Sequence, residues 1–227
     1  MHYPSCNLEE SMRRVRELES LGIDSLMTTE NGLLLIGKGF RSVVLVGTLD
    51  NKLVAIKVLR SDSPVKSMEH EAKMLEIANS VNVGPRLFFY TKGFIIMEYI
   101  PGSEIKSWIS SLSFESSEKL RKVLRSCFED CFRLDSISLD HGELSDASKH
   151  VIISEGLKPV IVDFSNASTT RKVSNVTSFL SYIMYGKVAQ TIRQVLGIRM
   201  QNIDIVRTYK QRISEENFNQ LMISLGL

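Results

Sequence analysis

The chain has 227 residues, 43% of them hydrophobic and 24% charged, with a net charge of +2. That length can fill one large or two small domains with a real core, and the balance is that of a soluble globular protein. The apolar runs are far too short to span a bilayer, residues 1–30 lack a secretory pattern, and no membrane role is expected. Three cysteines without metal-ligand spacing point to a reducing compartment, with the cytoplasm as the default. The charge is unevenly placed. From Arg171 onward eight Lys/Arg face three Asp/Glu, against twenty and twenty-three before it. A solvated basic surface explains this most simply, and a nucleic acid or ribonucleoprotein docking there is the alternative.

In chain order, Leu8, Met12, Val15, Leu18 and Leu21 recur at helical spacing, so residues 7–21 read as a helix with Asn7 as its cap and Gly22 as its end. Arg13, Arg14 and Arg16 on that helix could contact nucleic acid but are more simply a solvated face. Residues 33–59 then read as strand, glycine turn, strand, polar turn, strand. Leu33 to Ile36 is apolar, Gly37-Lys38-Gly39-Phe40 breaks it, and Val43 to Val46 resumes it. Asp50-Asn51-Lys52 turns the chain into Leu53 to Val58. Glycines at 37 and 39 would let backbone lie close over a polyanion. In the third strand Val54, Ile56 and Val58 share one face, and Ala55 and Lys57 share the other. A small residue beside a lysine suits a flat adenine with phosphates beyond it. A helix follows, carrying Met68, Glu71, Ala72, Leu75 and Ala78, with Glu69 and Glu71 as candidate partners for Lys57. Leu87 to Tyr90 and Phe94 to Met97 are two more strands, leading into Met97-Glu98-Tyr99-Ile100-Pro101-Gly102.

The second half is helical from Ile105 and Trp108 on. From Ser116 or Ser117, a helix places Leu120, Val123, Leu124, Cys127, Phe128, Cys131 and Phe132 on one buried stripe. Leu139-Asp140-His141-Gly142-Glu143-Leu144 precedes the strand Val151 to Ile153. Lys158 to Ser165 is an apolar strand ending in Asp163-Phe164. Asn166 to Asn175 is a polar loop, and Val176 to Tyr185 a buried helix. Residues 188–200, 202–212 and 215–225 each read as a helix, the last capped by Ser214.

Six of these segments, in this order, resemble the protein-kinase-like superfamily: the glycine turn, Val54-Ala55-Ile56-Lys57, the Glu71 helix, Met97 to Gly102, His141-Gly142-Glu143-Leu144 and Asp163-Phe164-Ser165. The resemblance covers roughly Ile23 to Tyr185. It is nearest to the atypical minimal members, such as the RIO family, the small kinase of the KEOPS complex, and above all the predicted archaeal serine/threonine protein kinases. It implies an α+β, bilobal fold: an N-terminal helix (1–22) packed outside a small lobe (23–100) with a five-stranded antiparallel sheet, then a compact, mainly helical large lobe (101–227), with ATP and Mg²⁺ in the cleft. The implied nucleotide-binding residues are Gly37, Lys38, Gly39, Val44, Ala55, Lys57, Glu71, Met97, Glu98 and Ile100, with Met97 as gatekeeper and Ser42 where a third glycine is usual. Lys57, Asp163 and Glu143 are the implied catalytic set, Asp163 holding the metal and Glu143 standing where the family has Asp. Asp140 and Asp146 are rival carboxylates. The family's second metal ligand, an Asn, has no counterpart; Ser148, Lys149 or His150 fills its position, His150 being favoured. No Ala-Pro-Glu follows, and the segment after Asp163 is short. The implied activity is transfer of the γ-phosphate to a hydroxyl, of a protein or of the chain itself. A nucleotide-binding pseudokinase or a small-molecule kinase are the alternatives.

Overall fold

The computed structural model describes residues 8–30, 32–198 and 203–227, so the Asn7 cap and the residues joining the two helices expected around 200 lie outside it. The fold is α+β, and every described strand pairing is antiparallel. Two compact units form, one from the residues up to Glu76 with Pro85–Ile100, the other from Ile77–Gly84 with Pro101–Leu227.

The first unit begins with α1 (Leu8–Ser20), followed by β1 (Ile23–Leu26), the short arms β2 (Thr28–Thr29) and β3 (Gly32–Leu33), then β4 (Leu35–Lys38), β5 (Ser42–Leu49) and β6 (Lys52–Leu59). Next come α2 (Glu69–Asn79), β7 (Leu87–Tyr90) and β8 (Phe94–Glu98). The main sheet runs β1-β5-β6-β8-β7, with β4 also paired to β5. It therefore has six strands rather than the five expected. Ile23–Leu26 is the addition; with Asp24 and Ser25 between its two apolar residues, it carries no alternation to announce a strand. The glycine turn is also displaced. β4 runs on through Gly37 to Lys38, and the turn closes where Gly39 N donates to Ser42 O at 2.9 Å. Asp50 and Asn51 both take positive φ (49° and 60°), as a two-residue hairpin between right-twisted strands requires.

Alternation in β5 and β6 divides the sheet into two faces. Val43, Leu45, Val54, Ile56 and Val58 point to one, where they meet Phe94, Ile96, Ile23 and Leu18 in the unit's core. Each fully buried side chain of this kind contributes about 1.5–3 kcal/mol relative to exposure. Only the C-terminal end of the α1 stripe joins them. Leu18 is buried, whereas Leu8, Met12 and Val15 are exposed.

The second unit contains β9 (Gly102–Glu104), α3 (Ile105–Ser110), α4 (Ser117–Ser136), β10 (Val151–Ser154) and β11 (Pro159–Ile161), then α5 (Asn175–Tyr185), α6 (Ala189–Leu196), α7 (Ile203–Gln211) and α8 (Glu215–Leu225). β9, β10 and β11 form a small sheet with β10 in the middle. The α4 stripe is buried from Leu120 to Cys131, with Phe128 edge-on to Phe179 at 5.0 Å and Phe132 stacked on Phe218 at 4.6 Å. Cys127 and Cys131 are free, and burial pushes both thiols well up. The Ser214 hydroxyl caps α8 by accepting from Asn217 N. No described helix is long and apolar enough to cross a membrane.

Candidate functional site

In the first unit Gly37, Val44, Ala55, Lys57 and Met97 share the sheet face opposite the core. Cross-strand partners lie side by side on one face. The register aligns Gly37 with Val44 and Val44 with Lys57, and one step on aligns Val46 with Ala55 and Ala55 with Met97. Ala55 and Lys57 are buried, while Gly37, Val44 and Met97 are half-buried. Lys57 Nζ lies 2.5 Å from Glu71 Oε1, with both side chains nearly buried (7% and 11% exposed). Glu69 is exposed at the start of α2, where its N–H donates to Ser67 Oγ. Two residues apart on a helix means about 200° around its axis, so only one of these glutamates can face the strand.

Lys38 and Gly39 are exposed at the turn, where Arg60 Nη1 donates to Gly39 O at 3.1 Å. Neither Gly37 nor Gly39 takes a positive φ, and a Cβ at Gly39 would meet only Ser42 O at 3.4 Å. The fold itself therefore does not demand glycine at 39. Glu98 is exposed; its N–H donates to Arg86 O and its Oε2 accepts from Arg86 N. That amide is committed within the sheet and offers a ligand nothing. Ile100 is half-buried beyond the strand.

In the second unit His141, Glu143, His150 and Asp163 gather around the open end of the β10–β11 hairpin. His141 is fully buried. Its Nε2 faces Val162 O at 3.1 Å, so that nitrogen carries the proton and Nδ1 is left without a partner. Burial, and next the neighbouring His150, hold its pKa down at about 4, and the ring stays neutral at physiological pH. Gly142, at φ +89°, turns the chain sharply; a Cβ there would sit 2.8 Å from Asn166 O. Glu143 is thereby presented half-exposed, with Oε1 4.0 Å from His150 Nε2. Val162 N donates to His150 O at 2.9 Å, which fixes the strand leading to Asp163. Asp163 is half-buried with φ +67°, a conformation aspartate tolerates by folding onto its own backbone; its Oδ1 accepts from Ser165 N at 3.3 Å.

The rival carboxylates are otherwise engaged. Asp140 is buried, with Oδ2 2.5 Å from Arg171 Nε and Oδ1 accepting from Ser174 N and Oγ. Asp146 is exposed and takes Ser148 Oγ at 2.6 Å and Lys187 Nζ at 3.1 Å, which hold its carboxyl below the usual range. Ser148 is buried beside Tyr182 and Lys149 is exposed, so of the three residues weighed for the Asn position His150 is the one facing Glu143.

A network behind this loop was not foreseen. Asp135 Oδ1 accepts from Asn175 N and Nδ2, and its Oδ2 accepts from Tyr209 OH at 2.8 Å. Asn175 in turn donates to Leu139 O at 2.7 Å and accepts from His141 N at 2.8 Å. Burial raises the Asp135 pKa against these bonds. The only sequence signal was an aspartate beside an otherwise apolar helical stripe.

Mg²⁺ takes oxygen ligands, commonly one or two carboxylates plus phosphates and water. Asp163 and Glu143 suit it, and the imidazole of His150 does not. Among the described residues no group of three or more His, Cys, Asp or Glu side chains is arranged so that it could hold a metal ion. Searches against known proteins found no matching family model and no matching curated sequence.

Proposed function

We propose that the chain is an ATP- and Mg²⁺-dependent phosphotransferase of bilobal, protein-kinase-like type, an atypical serine/threonine protein kinase moving a γ-phosphate to a hydroxyl. The observation that carries this reading is the buried Lys57–Glu71 pair beside Ala55 and Met97. A buried ion pair is rarely the most stable way to fill a core, so such a pair next to a small-residue surface supports a functional reading.

In this reading Lys57, held by Glu71, neutralises the α- and β-phosphates. Gly37 and Gly39 admit them close to the backbone, and Ala55 and Met97 leave flat space for adenine. Bound Mg²⁺ supplies charge neutralisation at the β- and γ-phosphates, with Asp163 as its holder. Glu143 orients the acceptor hydroxyl and takes its proton. Neutral His141, held by Val162 and Asn175, positions the loop. The acceptor is a protein, including the chain itself. Much of the basic excess after Arg171 is spent locally, since Arg171, Lys187 and Arg207 pair with acids and Arg193 donates to Met184 O, which gives little support to a nucleic-acid acceptor. A pseudokinase is the second reading, favoured by the engagement of Asp140 and the lack of an Asn beside Glu143.

Mg·ATP at a hundredfold excess over its dissociation constant should stabilise the protein by about 2.7 kcal/mol. Lys57→Ala and Asp163→Ala should abolish that shift. Glu143→Gln should retain it while slowing single-turnover transfer by about 10²–10⁴-fold. No shift at millimolar nucleotide overturns the reading. A shift without transfer, with protein acceptors present, establishes the pseudokinase.

A further inference from the structure

Arg60, the residue after β6, is tied to both sides of the turn between β4 and β5. Its backbone N–H donates to Arg41 O at 3.0 Å, and its Nη1 donates to Gly39 O at 3.1 Å. Asp62 grips the same guanidinium, its Oδ1 accepting from Nε at 2.8 Å and its Oδ2 from Nη2 at 2.6 Å. A two-point fork of this kind fixes the plane of an arginine head as well as its position. The Asp62 side chain is 47% exposed, but that of Arg60 only 16%. A surface arginine bonded to a nearby acid alone contributes little. This one also holds a carbonyl of the glycine turn.

The side from which Arg60 acts matters. Its N–H bond to Arg41 O carries the β5–β6 ladder one step past the Ser42–Leu59 pair, so the alternation of β6 still holds at position 60. Arg60 thus follows Val54, Ile56 and Val58 on the core side, opposite Ala55 and Lys57. It draws the Gly39 carbonyl away from the face that carries Lys57. In a planar trans peptide the N–H points opposite to the C=O. Turning the Gly39 oxygen to Arg60 therefore turns the Phe40 N–H toward the Lys57 face and removes a partly negative oxygen from it.

We infer that Arg60 and Asp62 are positioning residues that hold the glycine turn with an N–H edge toward the nucleotide's phosphates, setting affinity for the polyphosphate without touching it. The inference rests on the nucleotide reading of the Lys57 face. Both residues lie outside the segments that carry the kinase resemblance.

The test is calorimetric titration of wild type, Arg60→Ala and Asp62→Ala with Mg·ATP and with adenosine. Neither side chain belongs to the first unit's core, so both variants should keep the wild-type melting temperature. Each should bind Mg·ATP about three- to tenfold more weakly, the worth of one hydrogen bond. The Asp62 variant gives the decisive sign. It removes a negative charge near the turn, so attraction of the polyanion by charge alone would tighten ATP binding. Adenosine has no phosphates for the turn to cover and should bind all three proteins alike. Mg·ATP binding that is unchanged or tighter in Asp62→Ala, or an equal loss for adenosine, overturns the inference. Wild type that binds no Mg·ATP removes the nucleotide reading beneath it, whereas wild type that binds it with both variants unaltered removes the brace alone.

Discussion

Lys57 and Glu71 are each buried, so loss of either strands the other's charge in the interior. Glu71→Ala should cost about 3–5 kcal/mol in urea unfolding, and the Lys57→Met/Glu71→Leu pair should be milder than the single change. His141 makes a different demand. Its folded pKa, about 4, lies below its ordinary 6.5. Between those values the unfolded chain binds more protons than the folded one. Stability at neutral pH is therefore lost as pH falls from about 6.5 to about 4, by about 3 kcal/mol for this one group. Asp130 acts in the opposite sense: burial raises it to about 6, so its contribution declines as pH rises between 3.8 and 6. The informative measurement is the difference between wild type and His141→Gln, which keeps an N–H donor for Val162 O. The variant's stability should fall less steeply over that window, and parallel curves would exclude His141 as the source.

Among the elements, β9 is the most exacting. A Cβ at Gly102 would overlap the carbonyl oxygen of Ile153, across the pairing that joins β9 to β10. Gly102→Ala should push β9 off and destabilise the protein by about 2–4 kcal/mol, read as a lower urea midpoint with an unchanged slope. The strands and helices with strong periodicity were legible in the sequence: the alternation of Val54 to Val58, the stripe from Leu120 to Cys131, and the buried helix from Val176 to Tyr185. β1 was not, because a four-residue edge strand with two polar residues at its centre has no period to detect. The partners of the candidate residues were legible only in part. Lys57 needed a carboxylate from α2; the family resemblance pointed to Glu71, whereas the helical spacing alone left Glu69 open until the side of the helix facing the strand was known. The commitment of Asp140 to Arg171 and Ser174, 31 and 34 residues away in sequence, had no local trace.

At the scale of the whole molecule, each unit has its own core, and the chain passes between them twice before Pro101. Ile56 is fully buried in the first core and Phe179 in the second. Ile56→Ala should cost about 2–5 kcal/mol. Its effect on amide exchange should fall chiefly on β5, β6 and β8, leaving the α4 amides protected as in wild type; uniform loss across both units would mean a single cooperative block. The placement of α1 also has a temporal consequence. This helix is the first described element to be synthesised, yet Leu18 packs with Phe94 and Ile96, which are made far later. At ordinary elongation rates roughly 4–16 s separate Leu18 from Ile96 on the ribosome. Throughout that interval the nascent chain displays Leu8, Met12, Val15 and Leu18 as one uncovered apolar stripe. Leu8, Met12 and Val15 stay exposed after folding, so of that stripe the completed core takes in Leu18.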